Sequence, residues 1–215
     1  MENTSKVVAQ QLLNIKAIKL SPAQPFTWAS GWKSPIYCDN RKALSYSDVR
    51  TYIKKAFADE ARRLYGDNFD VVAGVATGAI AQGALVADLL NKPFIYIRSA
   101  PKNHGLENLI EGDLKEGQKV LVIEDLISTG GSSLKAVEAL RNAKAEVVGM
   151  LAIFTYGFPV SEDAFKAANV QLNTLSNYND MIEAAVEEGY VTANDIDTLK
   201  EWRKDPANWR NDLKE

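Results

Sequence analysis

From Asp70 onward, short apolar β-branched runs alternate with stretches of helical period. The runs are DVVAGV (70–75), PFIYI (93–97), KVLVIE (119–124) and EVVGMLAIF (146–154), and AIAQGALVADLL (79–90) and SSLKAVEALRNA (132–143) lie among them. Strands joined by helices pair in parallel through right-handed crossovers, and a sheet covered by helices on both faces has strands without polar alternation. The pattern therefore predicts an α/β fold with a central, mostly parallel sheet flanked by helices. A further strand is expected near VQLNTL, with helices at NDMIEAAVEEG and TANDIDTLKEWRK.

Ahead of this region, VVAQQLLNIKAI puts Val8, Leu12 and Ile15 on one helical face. SYSDVRTYIKKAFADEARRLY does the same with Val49, Tyr52, Ile53, Ala56 and Phe57, and Ser47 is the expected N-cap. SPAQPFTWASGWKSPIYCDNR, between them, holds three prolines and one glycine and reads as a loop or hairpin rich in aromatics. With 215 residues, 46% of them hydrophobic, and no evident linker, the chain is expected to form a single domain over residues 1–215. One cysteine, Cys38, excludes an internal disulfide and suits a reducing compartment. There is no apolar run of about 18 residues and no basic-then-apolar leader, so a cytoplasmic location with no membrane partner is expected. A net charge of −3 without a basic run argues against nucleic acid as a partner.

The stretch VLVIEDLISTGGSS, residues 120–133, carries the chemistry. An apolar strand ends at Glu124 and Asp125, then Leu126, Ile127, Ser128, Thr129, Gly130, Gly131 and Ser132 lead into a helix. In a parallel sheet ligands lie beyond the carboxyl ends of strands, and the N–H groups opening a helix attract a phosphate. Either piece alone is equally a solvated turn or a cap. Joined, they suit a phosphorylated sugar: the glycine–hydroxyl turn takes the phosphate and the carboxylates accept hydrogen bonds from sugar hydroxyls. No lysine follows in P-loop spacing, and no GxGxxG is present.

This stretch resembles the phosphoribosyl-diphosphate-binding motif of the type I phosphoribosyltransferases. FTWASGWKSPIYCDNR and YIRSAPKNHGLENLIEG are similar to the base-binding and mobile loops of the orotate-using members, and AIFTYGF and LSNYNDMIEAA also match, so the resemblance covers residues 10 to 205. It implies transfer of phosphoribose to orotate with Mg²⁺, a homodimer with shared active sites, and a small hood over the site built mostly from residues 1–45.

The resemblance also assigns roles. Departure of pyrophosphate needs cations and exclusion of water. Arg98, Lys102 and His104 supply the cations, with Lys102 and His104 as the catalytic candidates, and Pro101, Asn103 and Gly105 keep their segment a loop. Glu124 and Asp125 would hold the ribose, Leu126 and Ile127 would belong to the same phosphoribosyl-diphosphate site, Ser128 to Ser132 would bind the 5′-phosphate, and Ser128, Tyr37 and Cys38 would face orotate. No direct protein-only metal site is implied: Mg²⁺ would arrive on the substrate and touch Asp125 at most. GVATGAI (74–80) matches the pyrophosphate loop, and is equally a plain strand-to-helix turn. The sequence departs from the family at Ala29, Ser99, Gly78 and Tyr156, where basic residues occur elsewhere, and at Asn103, which replaces an aspartate. Arg41 is then the candidate for orotate's carboxylate. Transfer to another base, or sensing of phosphoribosyl diphosphate without catalysis, are the alternatives.

Overall fold

The structure, a computed structural model, describes residues 3–100 and 109–210. Helix α1 (Thr4–Asn14) is capped by the Asn3 side chain, which accepts from the Ser5 N–H, and it buries Val8, Leu12 and Leu13. It ends earlier than its apolar period suggests. Lys16 adopts a left-handed φ of 56°, and the chain reverses into strand β1 (Ile18–Leu20). Strands β2 (Phe26–Thr27) and β3 (Lys33–Ser34) form a hairpin, and β4 (Ile36–Cys38) returns antiparallel to β1 with Ile18 opposite Cys38. A 3₁₀ turn over Asn40–Ser45 leads into α2 (Ser47–Tyr65). Ser47 is the first helical residue rather than the cap; Tyr46 holds the cap position and no side chain caps the helix.

The expected α/β layer follows: β5 (Val71–Val75), α3 (Ile80–Leu90), β6 (Phe94–Ile97), β7 (Ile110–Glu111), β8 (Lys119–Ile127), α4 (Gly131–Asn142) and β9 (Glu146–Thr155). Helix α5 (Pro159–Ala167), strand β10 (Leu172–Asn177), and helices α6 (Tyr178–Glu187) and α7 (Asp195–Lys204) complete it. The six-stranded sheet runs β10-β9-β8-β5-β6-β7, all parallel except β7, which lies antiparallel to β6.

Both faces of this sheet are dry, which accounts for strands without polar alternation. Val72, Leu121, Ile123 and Leu151 join one core with α1, α2, α3, α6 and α7. Their neighbours Val71, Val120, Val122 and Met150 join the other with α4 and α5. Strand β8 is the centre of the arrangement, flanked by β5 and β9. The β5 pairing stops at Gly74 opposite Ile123, while β9 follows β8 to Ile127 opposite Thr155. The last four residues of β8 therefore extend past the end of its pairing with β5.

Candidate active site

Glu124, the last residue of the expected strand KVLVIE, and Asp125 both lie inside β8, which runs on to Ile127 because β9 continues to pair with this segment. Glu124 is buried, at 4% exposure. One of its oxygens accepts from the Asp125 N–H at 2.9 Å and the other from the Ser133 hydroxyl at 2.8 Å. Burial, then the neighbouring Asp125 charge, push its carboxyl well above the usual carboxylate range. The Glu124–Ser133 bond ties the end of the strand to the first turn of α4. Glu124 is one of the two carboxylates expected to hold ribose; these bonds take one acceptor position on each of its oxygens.

Asp125 is half-buried, and its carboxylate occupies the space beside Gly78 that a Cβ would need. This is why residue 78 carries no side chain: Gly78, one of the departures from the family pattern, lets the 74–80 turn close against Asp125. The turn contains a cis peptide bond between Ala76 and Thr77.

Past Ile127 the chain turns through Ser128 and Thr129 to Gly130, which has a φ of 83° and caps α4 without a side chain. A Cβ at Gly130 would meet the Phe165 ring at 2.9 Å, so α5 packs hard against the turn. At Gly131 the opposite holds: no described atom lies within 4 Å of the place a Cβ would take, and Thr129, Gly131 and Ser132 are exposed. The opening N–H groups of α4 have no partner inside the helix and no side-chain cap. Glycine backbone facing open space at a helix N-terminus is where a phosphate can approach closely.

The N-terminal segment brings its predicted residues to the same place. Tyr37 is 41% exposed, while Cys38 is half-buried, its thiol donating to the Asn40 amide oxygen at 3.2 Å. Burial and then the charge of Asp125 raise the Cys38 pKa; a thiol held neutral is a lining group, not a nucleophile. The Asn40 amide nitrogen donates to the Asp125 carbonyl at 2.7 Å. Arg41 donates to Asp39 at 2.6 Å and is otherwise open to solvent, with Asp125 among the charges that favour its protonated form. Arg98 follows β6, its N–H bound to the Leu109 carbonyl and its guanidinium 3.5 Å from Glu111. Lys102, Asn103 and His104 lie outside the described residues.

Tyr156 is a core residue. It is 2% exposed and packs among Trp28, Phe154, Phe158 and Trp202 with ring centroids 5.2–5.7 Å away. Burial pushes its phenol pKa up. Ala29 is exposed in the turn between β2 and β3, and nearby Lys33 donates to Thr27 at 3.1 Å. Asn40, which no sequence motif singles out, is structurally central, and Ser133, one of the hydroxyl donors read in the glycine–hydroxyl stretch, donates to Glu124. Asn40 sits in the string YCDNR, and an Asx residue closing a strand is a signal of a side chain bound to backbone.

A helix start with open backbone N–H groups, a half-buried carboxylate near the end of the central strand and a glycine turn pressed against it form an arrangement suited to a phosphorylated sugar. The phosphoribosyl transferase domain model matches residues 41–191, and the chain belongs to that family. Its curated relatives narrow the resemblance. Orotate phosphoribosyltransferase of Bacteroides fragilis is 62% identical over 212 residues, covering 97% of this chain and 98% of the relative. That of Listeria monocytogenes is 56% identical over 204 residues, covering 95% and 97%. Among solved structures, the fold is similar to orotate phosphoribosyltransferase from Aeropyrum pernix, with a TM-score of 0.69, 25% identity, and coverage of 82% of this chain and 97% of that one.

Proposed function

We propose that this protein transfers the 5-phosphoribosyl group from 5-phospho-α-D-ribose 1-diphosphate to orotate, forming orotidine 5′-monophosphate and pyrophosphate in pyrimidine synthesis. The observation that carries this reading is the meeting of three parts at Asp125: the open start of α4, the Gly78 turn, and strand β4 joined through Asn40. In the reaction a bond forms between a ring nitrogen of the base and C1 of ribose, while the bond from C1 to the diphosphate oxygen breaks. Positive charge grows on the sugar and negative charge on the leaving group.

Asp125 then accepts from the ribose hydroxyls and stands near the developing positive charge. The 128–132 turn takes the 5′-phosphate through backbone N–H groups and hydroxyls. Tyr37 and Cys38 line the base, Ser128 faces it from the other side, and Arg41 is the cation for its carboxylate. Arg98, Lys102 and His104 are the cations for the leaving diphosphate, Lys102 foremost. One half-exposed carboxylate beside a diphosphate suits Mg²⁺, which keeps most of its waters and binds through one or two carboxylates plus substrate phosphates. Mg²⁺ would neutralise charge on the leaving group; Asp125 is the residue that would touch it, directly or through water. The chain is read as one domain, with residues 1–45 forming most of a hood, and as a homodimer whose partner completes each site. No described helix is long and apolar enough to cross a membrane; with a single unpaired cysteine, a cytoplasmic location is part of the same reading.

The test follows orotate absorbance with purified protein, phosphoribosyl diphosphate and Mg²⁺, beside uracil, hypoxanthine and xanthine. Consumption of orotate that requires the diphosphate is the expected result. Turnover of another base alone would keep the transfer and reassign the acceptor, and tight binding of the diphosphate without turnover of any base would replace catalysis by sensing.

A further inference from the structure

Strands β1 and β4 form a two-stranded sheet that shares no strand pairing with the six-stranded one. The position of the base-lining residues relative to Asp125 is therefore set by side chains, not by a continuous hydrogen-bond ladder. Asn40 is the polar side chain that bridges the two. It is 2% exposed and follows β4 by two residues. Its orientation is dictated by chemistry: the Asp125 carbonyl can only accept, so the amide nitrogen faces it at 2.7 Å, and the amide oxygen is left to accept from the Cys38 thiol at 3.2 Å.

The Asp125 end of this bridge is held from every side. Its N–H is taken by Glu124, its carbonyl by Asn40, and its carboxylate is pressed against the Gly78 turn. The carbonyl lies past Ile123, where β5 stops pairing, and Asn40 supplies the partner that buried backbone requires. We infer that Asn40 is a positioning residue for the transfer: one amide fixes the distance between the strand that lines the base and the carboxylate that grips the ribose. The inference rests on the phosphoribosyl-transfer reading above. It matters because nucleophile and C1 come from two substrates bound on separate sheets, and the transfer depends on bringing them into line. Neither substrate need touch Asn40, so each still binds its own half when the bridge is cut.

Asn40→Leu keeps most of the volume and removes both polar ends; Asn40→Ser removes the reach with a small polar side chain and stands in should the leucine variant fail to fold. Each is compared with wild type by near-ultraviolet circular dichroism, by kcat at saturating orotate and phosphoribosyl diphosphate, and by equilibrium binding of each substrate alone. A folded variant should lose about 30- to 100-fold in kcat, the scale of a reacting-group misplacement of about 1 Å, while each dissociation constant moves by less than about threefold. Unchanged kcat in a folded variant overturns the inference, as does a loss lying wholly in substrate affinity. Wild-type protein that turns over no base overturns the transfer reading and this inference with it; a working wild type beside an unaffected variant overturns this inference alone.

Discussion

At Asp125 and Gly78 one carboxylate and one missing side chain share a single volume. A Cβ at residue 78 would overlap the Asp125 carboxylate, so Gly78→Ala must push either the turn or the carboxylate away. The expected outcome is a fall in kcat/KM for phosphoribosyl diphosphate of roughly 10- to 100-fold, since the displaced group is the one proposed to hold the ribose. Steady-state kinetics on folded protein checks this, and a variant with wild-type kcat/KM would remove Asp125 from the ribose contact. Glu124, the other half of the pair, makes a prediction about stability. Its carboxyl is raised above the ordinary value of 4.5 by burial first and by Asp125 second. The folded state thus holds this proton more tightly than the unfolded chain does. The resulting stability is fully present below the ordinary carboxylate value and is lost as pH climbs through the raised one. Glu124→Gln stays neutral, accepts from the Asp125 N–H through its oxygen and donates to the Ser133 hydroxyl through its nitrogen. Melting temperatures measured from about pH 4 to 8 should fall with rising pH in the wild type relative to the variant; parallel curves would show that Glu124 keeps an ordinary pKa.

Among elements, the contact that couples the N-terminal strands to the far end of the chain is helix α7. Trp202 is fully buried, its indole donates to the Lys33 carbonyl at 3.2 Å, and its ring meets Trp28, Tyr156, Phe158 and Tyr178 at 5.4–5.7 Å. Trp28 in turn donates to the Ile36 carbonyl at 3.0 Å, beside the first residue of the base-lining pair. Trp202→Ala should destabilise the protein by about 3–5 kcal/mol, the range for deleting a buried large aromatic. Trp202→Phe keeps most of the packing and loses the indole donor. It should raise the KM for orotate more than that for phosphoribosyl diphosphate, because the helix braces β3 and β4 and not the turn at 128–132. Equal changes in both constants would make α7 a general support. The same elements show what the sequence made legible. The parallel strands could be read because each is an unbroken apolar run, and α4 because its period follows two glycines. The end of β8 past Glu124 could not, since Asp125 and the residues after it look like the start of the turn until β9 is known to pair alongside them. Strand β7 has two residues and α5 only two buried ones, too little for a period to register. The early stop of α1 was hidden because Ile15 and Ile18 fit a helical face, while the reversal depends on Ile18 finding Cys38. Tyr37, Cys38 and the 128–132 turn stand out as candidate site residues through short, distinctive strings. Asn40 was not, because its partner is a backbone carbonyl 85 residues away.

At the scale of the whole molecule, the proposed site divides between two kinds of structure. In that reading the phosphate turn and Asp125 stand at the end of a sheet with both faces buried, and the base-lining strand belongs to a separate two-stranded sheet of the same chain. The cations assigned to the leaving diphosphate come from the segment between β6 and β7, which in the proposed homodimer serves the neighbouring subunit. Arg98 anchors the entrance of that segment, through its bonds to Leu109 and Glu111 on the returning strand. Sharing of this kind makes a prediction that no single-site scheme makes. Lys102→Ala should leave the phosphoribosyl-diphosphate site intact and remove the cation; Asp125→Asn should do the reverse. Each variant alone is expected to be nearly inactive. In a heterodimer of the two, however, one site receives both damaged groups and the other receives both intact ones. Random reassortment after co-expression or reversible dissociation makes half of the dimers mixed, so about a quarter of the wild-type rate should return. Rates measured across a range of mixing ratios should peak where the two variants are equal. If mixing restores nothing while native mass spectrometry of differently tagged variants confirms that subunits have exchanged, Lys102 acts on its own chain's substrate, and each subunit is a complete catalyst.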